Sequence, residues 1–178
     1  MRVVGEGTSL AALPSGAGVG TGSPRRIGQI RHLRGDLRFE EVRGNVDTRL
    51  RKLREGKVEA LVLAFAGLNR IGATGARFLP FPLDEVLPAP GQGALGIELR
   101  ESDPALARAV ASALDHPPPA AAARAERALL KGLGGGCQMP VGALATVDGS
   151  TLTLRGAVAD RPPVSFWGHV YHRESSAA

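Results

Sequence analysis

Residues 17–72 read AGVGTGSPRRIGQIRHLRGDLRFEEVRGNVDTRLRKLREGKVEALVLAFAGLNRIG, and three short apolar stretches there are each followed by a helix signal. Ala17–Gly20 predicts a strand. Ser23 then precedes Pro24, an N-cap followed by proline at the first helical position, and a helix through Arg34 should end at Gly35. Leu37–Val42 predicts a second strand. The loop Arg43-Gly44-Asn45 follows, with Asn45 or Asp47 to cap a helix to Glu55 and Gly56 to end it. Glu59–Phe65 is nearly continuous apolar sequence, as in a strand covered on both faces. Gly67–Ile71 begins another helical turn. Strands alternating with helices at this spacing predict a parallel α/β sheet.

Outward from this stretch the signals weaken. Residues 1–16 read as a lead-in to an α/β unit over 17–86. Gly72–Pro90, with four prolines after Arg77, reads as a linker. Gly91-Gln92-Gly93 leads into Ala94–Leu99, an expected apolar strand, and Asp103 should cap a helix over Pro104–Leu114. Pro117-Pro118-Pro119 marks an expected boundary. Beyond it, in 117–178, a helix over Ala120–Leu133 ends at a glycine run before Cys137. Val141–Val147 and Thr151–Val158 flank Asp148-Gly149, a hairpin signal, and Val164–Tyr171 predicts a third strand. This second unit is small and α+β.

Composition narrows the function classes. In 178 residues, 43% are hydrophobic, and the 24 glycines and 13 prolines stay below a low-complexity share. The longest apolar run, Ala60–Leu68, falls well short of the roughly 20 residues of a membrane span. No secretory leader is visible in MRVVGEGTSLAALP, and one cysteine excludes an internal disulfide framework. A soluble cytoplasmic protein without a membrane partner is the expectation. The net charge of +5 is concentrated in residues 25–57, where eleven Lys/Arg face five Asp/Glu. All but three cations of the chain are arginines, whose planar fork suits carboxylate and phosphate.

The arginines fall where the expected strands end: Arg25 and Arg26 after the first, Arg43 and Arg49 after the second, Arg70 after the third. Ligands of open α/β sheets lie beyond those carboxyl ends. Five arginines, with Ser23 at a helix start, would then face one crevice and a ligand bearing several separate anionic groups. Solvated surface arginines are the plainer alternative. Cys137 is the second feature. A lone cysteine is more often an inert core residue than a nucleophile, and a helix C-terminus raises a thiol pKa, so Cys137 suits stable covalent attachment better than repeated nucleophilic turnover. The four histidines have no metal-ligand spacing.

Five segments in order carry a resemblance: GTGSPRR (20–26), RGNVDTRLRKL (43–53), LAFAGLNRIG (63–72), LPAPGQGALGIE (87–98) and GGGCQMPVGA (134–143). Together they resemble the porphobilinogen deaminase, or hydroxymethylbilane synthase, family over about residues 10–158. The resemblance implies a three-domain fold: a periplasmic-binding-protein-like parallel-sheet domain followed by a small α+β cofactor-attachment domain. It implies a dipyrromethane cofactor held by a thioether to Cys137. It carries cofactor and substrate contacts onto Thr21, Ser23, Arg25, Arg26, Arg43, Arg49, Gly67, Arg70 and Gln92. The implied reaction condenses four porphobilinogen units with loss of ammonia, in tetrapyrrole and haem biosynthesis. Each pyrrole brings an acetate and a propionate, which would explain the arginines. A carboxylate would stabilise the cationic electrophile left by ammonia and handle the pyrrole proton.

That carboxylate belongs to an HSxKD run of the family's first domain, and the 178 residues contain none. Residues 87–116 resemble the return segment of that domain. The chain therefore reads as an internal and C-terminal piece, with catalytic residues absent, and a separate first-domain fragment is an expected partner of a typically monomeric family. Two rival functions stand beside the enzyme: a non-catalytic pyrrole or polycarboxylate binder, and a nucleic-acid module built on residues 25–57. The second is weakly supported, because His32 and Phe39 are the only rings there.

Overall fold

The structure, a computed structural model, describes residues 2–4, 9–72, 78–135, 139–158 and 164–169, with side chains described between residues 9 and 158. Five strands, β1 (Arg2–Val4), β2 (Gly18–Gly20), β3 (Arg38–Glu40), β4 (Ala60–Leu63) and β5 (Phe78–Pro80), form one sheet in the order β3-β2-β4-β1-β5. β2 pairs in parallel with β3 and β4, as the three βα units predict. β1 pairs antiparallel with β4 and β5, which makes the sheet mixed. No motif announces β1, a three-residue stretch.

Strand β4 explains the layering. Its four residues are all buried, and side chains alternate between faces. Ala60 and Val62 join Val19, Leu37, Phe81 and Val86 under helix α1 (Pro24–Leu33), which contributes Ile30. Leu61 and Leu63 join Val42 and Val58 on the other face, beneath α2 (Val46–Arg54) and α3 (Phe65–Arg70) through Leu50 and Leu68. The result is helix, sheet, helix. Asn45 caps α2, its side chain accepting from Thr48 N–H at 2.9 Å. Gly56 then turns the chain at φ +68°, a conformation glycine adopts without a Cβ clash. Phe65, expected to finish β4, instead opens α3.

Two expectations fail for identifiable reasons. The proline-rich stretch after residue 77 is no linker: it supplies β5, and Phe81, Val86 and Leu87 are buried. β5 is the outermost strand, where a proline without an N–H costs no ladder bond. Ala94–Leu99 forms no strand. Leu95 is 93% and Ile97 55% exposed, with no strand beside them among the described residues. An apolar run becomes a strand only where a partner edge exists. The proline triplet opens α5 (Pro117–Gly132) three residues ahead of the expected helix start, filling its first turn, where the missing N–H groups would have had no intrahelical acceptor.

Asp103 caps α4 (Pro104–Leu114) as expected, accepting from Leu106 N–H at 2.9 Å, yet α4 buries no residue. In the second unit β6 (Val141–Asp148), β7 (Thr151–Val158) and β8 (Val164–His169) form an antiparallel sheet, and α5 packs against β6 and β7. The hairpin turn falls at Gly149-Ser150, and β8 is described to His169. Among the described residues no helix is long and apolar enough to cross a membrane.

Candidate functional site

The carboxyl end of β2 delivers the chain into α1. Thr21 is buried; its N–H donates to Glu40 O at 2.9 Å and its hydroxyl oxygen accepts from Ser23 N–H at 3.3 Å. Ser23 occupies the N-cap position expected of it, with its carbonyl accepting from Arg26 and Ile27 N–H. Its side chain makes no capping bond. The hydroxyl is therefore not committed to the helix.

Arg25 and Arg26 leave the first turn of α1 on different sides. Arg25 is 7% exposed, and its Nη1 donates to the backbone carbonyl of Leu87. Burial lowers its pKa from 12.5 to about 10, and the charge of Arg26 adds to the shift. Arg26 donates from Nη1 to Val62 O, on β4, at 2.7 Å. Its pKa is also lowered, first by burial and then by the charge of Arg49. Arg26 Nε is buried without a hydrogen-bond partner among the described residues. Arg49, on α2, is half-buried and donates from Nε to Gly44 O at 2.8 Å.

Three of the five expected arginines are thus electrostatically coupled: Arg25 to Arg26, and Arg26 to Arg49. The other two stand apart. Arg43 is 83% exposed and turned to Glu41, Nε to Oε1 at 2.8 Å, an ion pair that raises the arginine's pKa and lowers the glutamate's. Arg70, the last residue of α3, is exposed, and no hydrogen bond or ion pair holds it among the described residues. Gly67, near the start of α3, faces Val46, with 3.4 Å from a Cβ placed there to Val46 Cγ2. Gln92 is exposed; its Oε1 accepts from Ala89 N–H at 3.1 Å and closes its own turn. Cys137 lies outside the described residues.

Two buried polar side chains escaped the sequence reading. Gln29 is bonded to Arg25 O and to Leu87. Glu126, within α5, accepts from Gly91 N–H at 2.6 Å and Ala145 N–H at 2.7 Å. The only available signal was spacing: Gln29 lies one helical turn beyond Arg25, on the same face. A groove of about 460 Å³ also opens beside α5, with Arg124, Arg127 and Lys131 on its wall and Gly135, two residues before Cys137, at its edge. Phe39 packs on the core and carries Arg31 over its ring, 5.3 Å to the centroid, so it offers no free stacking face.

A partly buried, mutually repelling group of cations is costly unless an anion answers it. Arg26 combines burial, a like-charged neighbour and an unanswered Nε–H. A ligand with several separate carboxylates, such as a dipyrromethane bearing acetate and propionate, fits that donor set.

Comparison with known proteins agrees. Residues 2–108 match the family model described as porphobilinogen deaminase, dipyromethane cofactor binding domain. Residues 120–164 match porphobilinogen deaminase, C-terminal domain. Similar curated proteins named porphobilinogen deaminase come from Roseiflexus sp. (strain RS-1), 54% identical over 155 residues, and Moorella thermoacetica, 51% over 154. A third, from Thermobifida fusca, is 49% identical over 154 residues. These alignments cover 87%, 86% and 86% of this chain but 51%, 49% and 48% of the relatives. The chain spans about half the length of the curated relatives it matches.

Proposed function

Because this chain belongs to the porphobilinogen deaminase family, we propose that it holds a dipyrromethane through Cys137 and serves hydroxymethylbilane synthesis. That reaction condenses porphobilinogen units with release of ammonia in tetrapyrrole biosynthesis. The observation that carries this reading is the coupled group Arg25, Arg26 and Arg49, with its buried Arg26 Nε–H. Arg26 and Arg49 bind carboxylates of the held pyrroles, and Arg25 contributes positive potential from beneath. The Thr21 and Ser23 hydroxyls stand at the same strand end. Arg43 and Arg70, exposed, suit the carboxylates of later units. Gly67 leaves room beside Val46, and Gln92 shapes the turn that follows Leu87.

When bound, the dipyrromethane supplies the pyrrole terminus to which new units are joined. Arg124, Arg127 and Lys131 bring further positive charge beside Gly135, two residues before Cys137 in sequence. The thiol must stay reduced to accept a thioether, which supports a cytoplasmic location. One copy of this chain with a first-domain fragment is expected, without nucleic acid or a membrane.

The proton-handling carboxylate of the HSxKD run is not among these residues. Ala94–Leu99 and α4 present Leu95, Ile97, Leu106 and Leu114 to solvent, an apolar face suited to a further α/β piece. We assign turnover to the assembly with such a piece, and pyrrole binding to the chain itself. Calorimetric titration with a dipyrromethane bearing acetate and propionate side chains tests the binding. Saturable one-site binding by the wild type, weakened about tenfold or more in Arg26→Ala, is expected. Equal affinity in both proteins, or none in the wild type, contradicts it.

A further inference from the structure

The two regions that match the two family models meet across a short strap, Leu87–Gly91. Leu87 N–H donates to Gln29 Oε1 at 2.7 Å, and Gln29 Nε2 donates back to Leu87 O at 3.3 Å. One side-chain amide therefore holds both backbone groups of one residue, as a neighbouring strand would. Gln29 is 2% exposed, so water does not compete for these bonds. The same Leu87 carbonyl accepts from Arg25 Nη1, and Gln29 Nε2 lies 3.2 Å from Arg25 O. One residue further, Pro88 O accepts from Ala143 N–H of β6 at 2.9 Å. Gly142 of β6 presses on the same point: a Cβ there would stand 2.9 Å from both Gln29 Nε2 and Leu87 Cβ. β6 begins at Val141, four residues after Cys137.

We propose that Gln29 is a positioning residue, whose amide grips the Leu87–Pro88 backbone and thereby fixes the start of β6 relative to Arg25. The functional consequence rests on reading Arg25 and Cys137 as cofactor contacts; the grip itself does not. The chemistry of the site calls for an amide. Glutamine supplies a donor and an acceptor together and brings no charge beside the coupled arginines. Glutamate would lose the donor, and methionine of similar length would lose both.

The test reads geometry first. In the full chain with Cys137→Ser, spin labels go on cysteines placed at His32, exposed on α1, and Thr146, exposed on β6. The parent should give one narrow distance distribution. Gln29→Met should broaden or shift it, and Gly142→Ala, which crowds the grip from the opposite side, should do the same. The double variant should be no worse than the more severe single one, because both break one contact. Unchanged distances in a folded Gln29→Met chain overturn the proposal. If Gln29→Met does not fold, unchanged distances in Gly142→Ala overturn it.

A second arm keeps Cys137 and measures capture of pyrroles from preformed hydroxymethylbilane by intact mass. Gln29→Met should slow capture about tenfold or more through misplacement, while polycarboxylate affinity stays nearly unchanged. Parallel losses of affinity and capture would reduce Gln29 to a general stabiliser and overturn the positioning role. If the wild type captures nothing while the distances still respond to Gln29→Met, the cofactor reading fails and the grip stands.

Discussion

Arg49 on α2 opposes Arg26 on α1: its charge adds to burial in lowering the pKa of Arg26, while Arg26 Nε has no acceptor among the described residues. The protein keeps this repulsion at the carboxyl edge of its parallel strands. Arg49→Gln should therefore raise the unfolding temperature of the ligand-free chain and weaken polycarboxylate binding. Thermal unfolding with and without a tetracarboxylate dipyrromethane measures both. Loss of stability without ligand would show that Arg49 supports the fold instead.

The arginines should not count equally. Arg26→Ala should weaken carboxylate binding by roughly 1.5–3 kcal/mol, the worth of a shielded charge-assisted bond. Arg43→Ala should cost less, since Glu41 already holds that guanidinium in an exposed position. Equal losses in titration would indicate a diffuse charge effect.

Arg34 shows why a surface arginine is a poor control here. It donates to Leu10 O at 2.8 Å, Ala11 O at 3.0 Å and Leu13 O at 3.0 Å, and forks onto Asp36 at 2.7 and 2.8 Å. Arg34→Ala should lower the unfolding temperature more than Arg31→Ala and leave carboxylate affinity unchanged. Arg34 also holds the Asp36 carboxyl well below the usual carboxylate range. A depressed folded pKa stabilises above the ordinary carboxylate range, and that contribution is lost as pH falls. Asp36→Asn should flatten this part of the acid dependence in urea unfolding at stepped pH.

Gly20 ends β2 where the chain turns toward Arg25. A Cβ there would stand 2.5 Å from Leu61 Cδ2 and 2.7 Å from Val42 Cγ2. Gly20→Ala should destabilise by about 1–3 kcal/mol through overpacking, read as a lower urea midpoint at constant slope. A neutral result would mean that the two side chains swing aside freely.

Much of the architecture was legible because local and long-range signals agreed. In β4, α1 and α2, apolar runs, caps and glycine stops coincide with real packing partners. Ala94–Leu99 has an equally apolar run and no partner, so it forms no strand. β1 and β5 owe their pairing to the sheet edge they meet, which a three-residue stretch does not reveal. For the site, arginine spacing singled out Arg25, Arg26 and Arg49, which α1 and α2 carry close enough for their charges to interact. Nothing in composition indicates that Arg43 turns to Glu41, that Arg25 dips to Leu87, or that Gln29 is buried. Those outcomes depend on side-chain contacts made after the chain has folded.

Without an HSxKD run, the 178-residue chain alone should release ammonia from porphobilinogen far below an enzymatic rate. Adding a polypeptide that carries such a run, and packs on Leu95, Ile97 and Leu106, should raise turnover. Robust steady-state ammonia release by the chain alone would refute this. Asp47, in the first turn of α2, would then be the first carboxylate to replace.

We propose that Arg26, Arg49 and Cys137 act together as one cofactor site. Intact-mass spectrometry after incubation with preformed hydroxymethylbilane decides whether they do. A pyrrole-sized mass increase in the wild type, absent in Cys137→Ser and diminished in Arg26→Ala, is expected. An unmodified wild-type chain, with circular dichroism showing the fold intact, would contradict it.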